Sequence, residues 1–260
     1  KRTGEKRSCA SAIGEIENSA GAKVQSAASS SFDAWIIQYR PNENSANNSI
    51  SYYSKGSVIG TIMDLEIAHA TKGVKSLDDV MKAMYLQCKK TGRGYTDGEF
   101  KAMVEKISGV SFTDFWAKYV TGTAPIDYNK YFSYAGVTVK NENEGKSVPY
   151  LGVAVRKTEG RYIVSSVARN SGGWIDGVNV NDEVTAIDGV AIESAIGQGN
   201  SISLTNKNVN DVIKISVRRD GLVRDINVTL VPRSTMRLTA TINADATAAQ
   251  KAVLNRWLGI

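Results

Sequence analysis

The sequence holds a single histidine, two cysteines and four prolines, and none of its apolar runs approaches the roughly 20 residues that a membrane-spanning helix needs. Each scarcity excludes something. One histidine, His69, leaves no pair of imidazoles to grip a zinc ion, and Cys9 and Cys88 form no ligand cluster with it. No metal site is therefore expected within these residues. Any Ser-His-Asp arrangement would need the same lone histidine, and no Gly-x-Ser-x-Gly elbow accompanies it. The glycines at 92–94, 172–173 and 197–199 lack the strand, helix and lysine of a phosphate cradle and read as turns. Few prolines and no long biased tract argue against a disordered chain. The chain opens on Lys1 rather than methionine, which reads as a processed protein or an excised fragment.

What is present suits a folded protein of two domains. The 260 residues are 42% hydrophobic and 22% charged, enough apolar material for more than one core. The net charge of +6 divides into about +3 over 1–146, +1 over 147–233 and +2 over 234–260. Lysines and arginines alternate with acids along the chain, whereas a nucleic-acid binder gathers its cations on one face or arm. A solvated surface of mixed charge is the expectation, with no nucleic-acid partner and no membrane span.

The periodicity changes once. The first thirty residues are rich in Ala, Ser and Lys with weak helical spacing, and residues 31–37 read as a more apolar helix. Residues 40–49 form a polar loop, and such loops between ordered segments often face a functional site. From Tyr53 on, Val58, Ile62, Leu65 and His69 fall three and four apart, with Gly73 as a stop. Ser76 to Asp79 and Thr96 to Glu99 read as capping boxes. Leu77, Val80, Met81, Met84, Tyr85 and Cys88 share a face behind the first, so Cys88 is expected as a buried free thiol. Phe100, Met103, Val104 and Ile107 follow the second, and Phe112, Phe115, Trp116 and Tyr119 occupy a last short helix. After about residue 136 the period becomes two. Strands are expected over 150–155, 162–167 and 182–187, and in a hairpin turning at Asp220-Gly221, with a helix supplied from 194–205. A helix over 247–258 ends the chain.

Two local features carry possible chemistry. Tyr52 and Tyr53 open the long helix just after the polar loop. A phenol there can stabilise a developing oxyanion, though two tyrosines that merely plug the helix start satisfy the spacing equally. Tyr150-Leu151-Gly152-Val153 leads into a strand and reads either as a backbone nest for a carboxylate beside a strand edge or as an ordinary apolar strand. Asn47-Asn48-Ser49 and Asn227-Val228-Thr229 match the glycosylation sequon, a pattern too common to weigh by itself.

Several short runs, in order and in register, carry a resemblance. They are residues 31–35, Tyr39-Arg40-Pro41-Asn42-Glu43-Asn44-Ser45, Ser51-Tyr52-Tyr53-Ser54-Lys55-Gly56, 76–80, 92–96 and 119–123. Over roughly residues 24–136 the chain resembles the bacterial glycyl aminopeptidase family of gluzincin zinc peptidases. Residues 148–232 are similar to the PDZ domain that follows in that family, and the tail to its C-terminus. The resemblance implies an α+β multidomain chain. A helical C-terminal part of a catalytic domain would occupy 1–140, a PDZ-like domain 147–233, and a tail with a short helix 234–260. It implies that Tyr53 donates to the tetrahedral oxyanion, and that Leu151, Gly152 and Val153 form the peptide-binding loop. It also implies substrates that are short peptides with a small N-terminal residue such as glycine.

The departure from the family is large. In the family, His-Glu-x-x-His and a later glutamate hold zinc, and this sequence contains no such motif. Zinc is therefore expected in the full-length enzyme and not in this fragment, which is expected to be inactive alone. The implied partners are a peptide substrate, a peptide C-terminus at the PDZ groove, and the missing N-terminal part of the same protein. A non-catalytic PDZ adaptor is the alternative. The sequence leaves the compartment open, and the bacterial peptidase context leans toward the periplasm.

Overall fold

The computed structural model describes residues 11–197 and 201–260; Cys9 lies outside them. A helical segment is followed by a β domain, as the periodicity predicts. Residues 11–17 form α1, and a 3-10 turn at Ala20–Lys23 leads to α2 (Ala27–Phe32) and α3 (Ser45–Asn48). The central element is α4 (Tyr52–Ala70), where Ser51 accepts from the Ser54 amide at 3.2 Å and so satisfies an otherwise orphaned N–H. Val58, Ile62 and Leu65 are buried as their spacing requires, and Ile59, Met63 and Ile67 are buried too. A helix apolar around most of its girth belongs inside a bundle. Around it pack α5 (Leu77–Thr91), α6 (Asp97–Ser108), α7 (Thr113–Phe115) running into a π turn at Trp116–Val120, and α8 (Tyr128–Ser133). In both expected boxes the third helical carboxylate accepts from the N-cap amide at 2.9 Å: Asp79 from Ser76, and Glu99 from Thr96.

Two expectations for the helices need correction. On α5 only Val80 and Met84 are buried, while Met81 and Tyr85 are exposed and Cys88 is half-buried. This helix lies outside α4 and α6, so it buries a narrow stripe rather than a broad face. The segment over 31–37 ends its helix at Phe32, and Phe32, Trp35 and Ile36 stand 89%, 78% and 69% exposed. Their apolar character reports no burial among the described residues.

The β domain begins as the chain leaves α8. Strands β1 (Val137–Asn141) and β2 (Val148–Tyr150) run out of the helical unit. Next come β3 (Val153–Thr158), β4 (Arg161–Val167), a helical turn α9 (Gly172–Ile175), β5 (Glu183–Ile187), β6 (Val190–Ala191), α10 (Ile192–Ala195), β7 (Val212–Arg219) and β8 (Leu222–Thr229). The antiparallel order is β3-β4-β5-β7-β8, with β6 beside β5. Val155, Val164, Val184, Ile213, Ile215, Val217, Val228 and Leu230 alternate inward to make a second core. Asp220 and Gly221 both take positive φ at the β7–β8 turn, the backbone twist that a two-residue hairpin demands. The helix expected over 194–205 is absent from the described residues there. After the four residues of α10, Ile196 bridges Ile202, and Ser201 bridges Ala154 of β3.

The chain then returns. Strand β9 (Val231–Arg233) pairs with β2, and β10 (Leu238–Ile242) pairs with β1. Helix α11 (Ala248–Leu258) then seats Val253 and Leu254 in the helical core, with Arg256 on Asp79 at 2.5 Å.

A further tether joins the two units. Asn47, only 5% exposed, donates to the Val167 carbonyl at 2.8 Å and accepts from the Arg169 amide at 2.8 Å. Buried and bonded in this way, Asn47 is no glycosylation acceptor. Asn47→Ala would strand a carbonyl and an amide, and should cost roughly 2 kcal/mol of stability. Thermal unfolding and faster exchange of the Arg169 amide measure this; an unchanged melting temperature would refute it.

Candidate functional site

The start of α4 gathers three phenols. Tyr53 stands 65% exposed, with its ring 4.2 Å from that of Tyr52. The Tyr52 and Tyr39 hydroxyls lie 3.0 Å apart, and Trp35 packs its ring 5.0 Å from that of Tyr39. Tyr39 comes from the polar loop region and Tyr52 from the helix start, so the loop delivers its hydroxyl to the helix end. Hydrogen bonding splits the pair electronically. Tyr52 is pushed above the ordinary phenol range, first by its bond to Tyr39 and then by Tyr53. Tyr53 is drawn below it by its phenol neighbours, Tyr52 first and then Tyr39. An exposed phenol with weakened proton affinity is a better hydrogen-bond donor to an oxyanion than a free tyrosine. Tyr39 is the member that sequence reasoning missed, since no spacing rule links residues 39 and 52.

The second site lies on the β domain. Leu151 and Val153 are buried, and Gly152 takes a φ of 71°, where a Cβ would meet that of Ser171 at 2.1 Å. Glycine is required here by both torsion and space. The Leu151 carbonyl accepts from Gly173 at 2.9 Å, and the Gly152 carbonyl from Ala168 at 2.7 Å. A trans peptide sets its N–H opposite its carbonyl, so the Gly152 and Val153 amides turn away from β4 and α9. They face the edge of β3, where Ala154 pairs with Ser201. That bridge occupies part of the edge that an added peptide strand would use.

His69 is exposed, its ring stacked 3.8 Å from that of Tyr134 near the far end of α4. Tyr53 and Leu151–Val153 thus belong to different units, and His69 to neither site. Among the described residues no three His, Cys, Asp or Glu side chains come together in a set able to hold a metal ion. The described side chains do not fit a zinc site. Among the described residues, no helix is long and apolar enough to cross a membrane.

Comparison with known proteins agrees with both halves of this architecture. Residues 3–59 match the family model described as M61 glycyl aminopeptidase, and residues 149–230 match that of the PDZ domain. The resemblance thus holds over the segment that ends in the phenol cluster, and the β domain is PDZ-like. A crystal structure of an aminopeptidase N family protein from Idiomarina loihiensis shares the fold, with a TM-score of 0.74 at 20% identity over 96% of this chain. This chain spans 43% of that protein's length. No curated protein sequence matches it.

The influence of Tyr52 should be measurable through Tyr53. In Tyr52→Phe the Tyr53 phenol should ionise at higher pH than in the parent, closer to an ordinary tyrosine. Ultraviolet difference titration reads this, and an unshifted Tyr53 would remove the assigned cause.

Proposed function

We propose that this chain is the C-terminal part of a zinc aminopeptidase that removes small N-terminal residues, glycine among them, from peptides. Tyr53 is the hydrogen-bond donor to the tetrahedral oxyanion. The observation that carries the reading is the exposed Tyr53 phenol at the head of a buried helix, its ring 4.2 Å from that of Tyr52, within the segment that matches the family model. Beside it the exposed Phe32, Trp35 and Ile36 make an apolar surface of the kind that packs against further protein. The rest of the catalytic unit, zinc ligands included, lies on this reading in sequence outside the chain. In the chain's own part of the reaction, Tyr39 holds the Tyr52 hydroxyl, the Tyr52 ring packs beside that of Tyr53, and Tyr53 donates to the carbonyl oxygen as negative charge builds there. The loop of Leu151, Gly152 and Val153 receives a peptide or partner segment through the Gly152 and Val153 amides. An incoming strand must first displace the bridge between Ala154 and Ser201.

A non-catalytic adaptor is the second reading, favoured by the glycine-dependent geometry of that same loop. The two separate on the sequence encoded upstream of Lys1: an intact His-Glu-x-x-His supports the enzyme, and a degenerate one the adaptor.

In a full-length enzyme, Tyr53→Phe should lower kcat by about a hundredfold, as loss of an oxyanion donor does, with KM little changed. An unaltered kcat would remove Tyr53 from the mechanism. The purified 260-residue chain, supplied with zinc, should release no glycine from a glycyl peptide. Zinc-dependent release would contradict the proposal.

A further inference from the structure

Among the described residues Lys55 is the one buried cation. Two positions after Tyr53 on α4, it is 4% exposed, and its side-chain amine makes no hydrogen bond or ion pair with any described residue. Burying a charge is costly unless an opposite charge or a ligand compensates it. Burial pulls the amine below its usual proton affinity, and the field of Glu17 offsets this in part. Lys55 lines a cleft of about 230 Å³ with Glu17, Lys23 and Thr123.

Glu17 and Lys23 also line a larger cleft of about 710 Å³ between the helical unit and the β domain. Its opposite wall carries Arg169 and Arg233, and the Arg233 guanidinium lies 4.4 Å over the Tyr150 ring. A guanidinium stacked in this way is held with its N–H edges free for an anion. Neither arginine, nor Lys23, forms an ion pair among the described residues, whereas the Glu17 carboxylate is already engaged by the Tyr128 hydroxyl at 2.6 Å. Four cations thus face one acid across two adjoining clefts. Val24, Val167 and Pro232 line the same cleft, which suits a carboxylate flanked by aliphatic side chains better than a polyphosphate.

We propose that this interdomain cleft is a binding site for a peptide carboxylate, held by Arg169 and Arg233, with Lys55 adding positive charge from the smaller adjoining cleft. It is separate from the Leu151–Val153 loop, whose amides turn to the opposite side of β3, and it stands whether or not the aminopeptidase reading holds. The carboxylate comes from either a chain terminus or an acidic side chain.

The test titrates the purified chain by calorimetry at low salt with three tetrapeptides: acetyl-Gly-Ala-Gly-Val as free acid, its C-terminal amide, and the amide of acetyl-Gly-Glu-Gly-Val. At least one charged peptide should bind about tenfold or more tightly than the neutral amide, and which one does so identifies the source of the carboxylate. Replacing both exposed arginines, Arg169→Ala with Arg233→Ala, should weaken that peptide by about tenfold or more. Lys55→Met should weaken it too, and the arginine pair decides the matter should that variant not fold. Equal affinity for all three peptides, absence of binding, or undiminished binding by the arginine variant overturns the site. Pyrophosphate or an oligonucleotide binding more tightly than every peptide overturns the assignment to peptide.

Discussion

The structure depends on the chain coming back. Having left the helical unit along β1 and β2, it traverses the whole β domain and returns along β9 and β10, which pair antiparallel with the strands that led out. Val137 and Val139 of β1 sit in the helical core, and so do Val253 and Leu254 of the final helix. The first and last parts of this span therefore share one core, and the β domain is held at its neck by two ladders rather than a single linker. Each ladder satisfies backbone groups that would otherwise cost free energy when removed from water. With Asn47 bonded to the backbone on either side of Ala168, the neck has a third point of attachment, which lets a cleft between the units keep a defined shape.

The phenol cluster inherits its order from the bundle. Tyr53 is exposed, yet the helix that carries it is buried along Val58, Ile62 and Leu65, so its backbone is fixed to the core. Its neighbours Tyr52 and Tyr39 act electronically, since a hydrogen bond that favours one ionised phenol must oppose another. The exposed Phe32, Trp35 and Ile36 surround this corner with apolar surface, and the segment matching the aminopeptidase family ends just beyond it.

On the β domain the same logic takes another form. Carbonyls are fixed inward by Gly173 and Ala168, and the peptide plane leaves amides on the far side. The position usable by a ligand is a consequence of where the carbonyls are spent. A short α10 and the bridge from Ser201 replace the helix expected beside this edge, where Gly197 disfavours continuing the helix.

Much was legible in the sequence. Local physics governs caps, hairpin turns and the change from helical to strand period, and Thr96, Glu99, Asp220 and Gly221 do what their residue types require. The family-bearing runs placed Tyr53 at a helix start, as observed, and Leu151–Val153 in a loop, of which Leu151 and Gly152 lie between strands while Val153 already opens β3. Burial was less legible, since Met81, Tyr85, Trp35 and Ile36 keep an apolar character whether or not a neighbour covers them. Charge misled most: lysines and arginines that alternate with acids along the chain read as a mixed surface, yet Lys23, Lys55, Arg169 and Arg233 line adjoining clefts with one acid among them. The sequence by itself determined the elements, their order and the residues at their ends, because those follow from interactions a few residues long. Only the tertiary structure decided which distant side chains meet, because the pairing of β1 with β10 and the reach of Asn47 act between residues roughly a hundred positions apart.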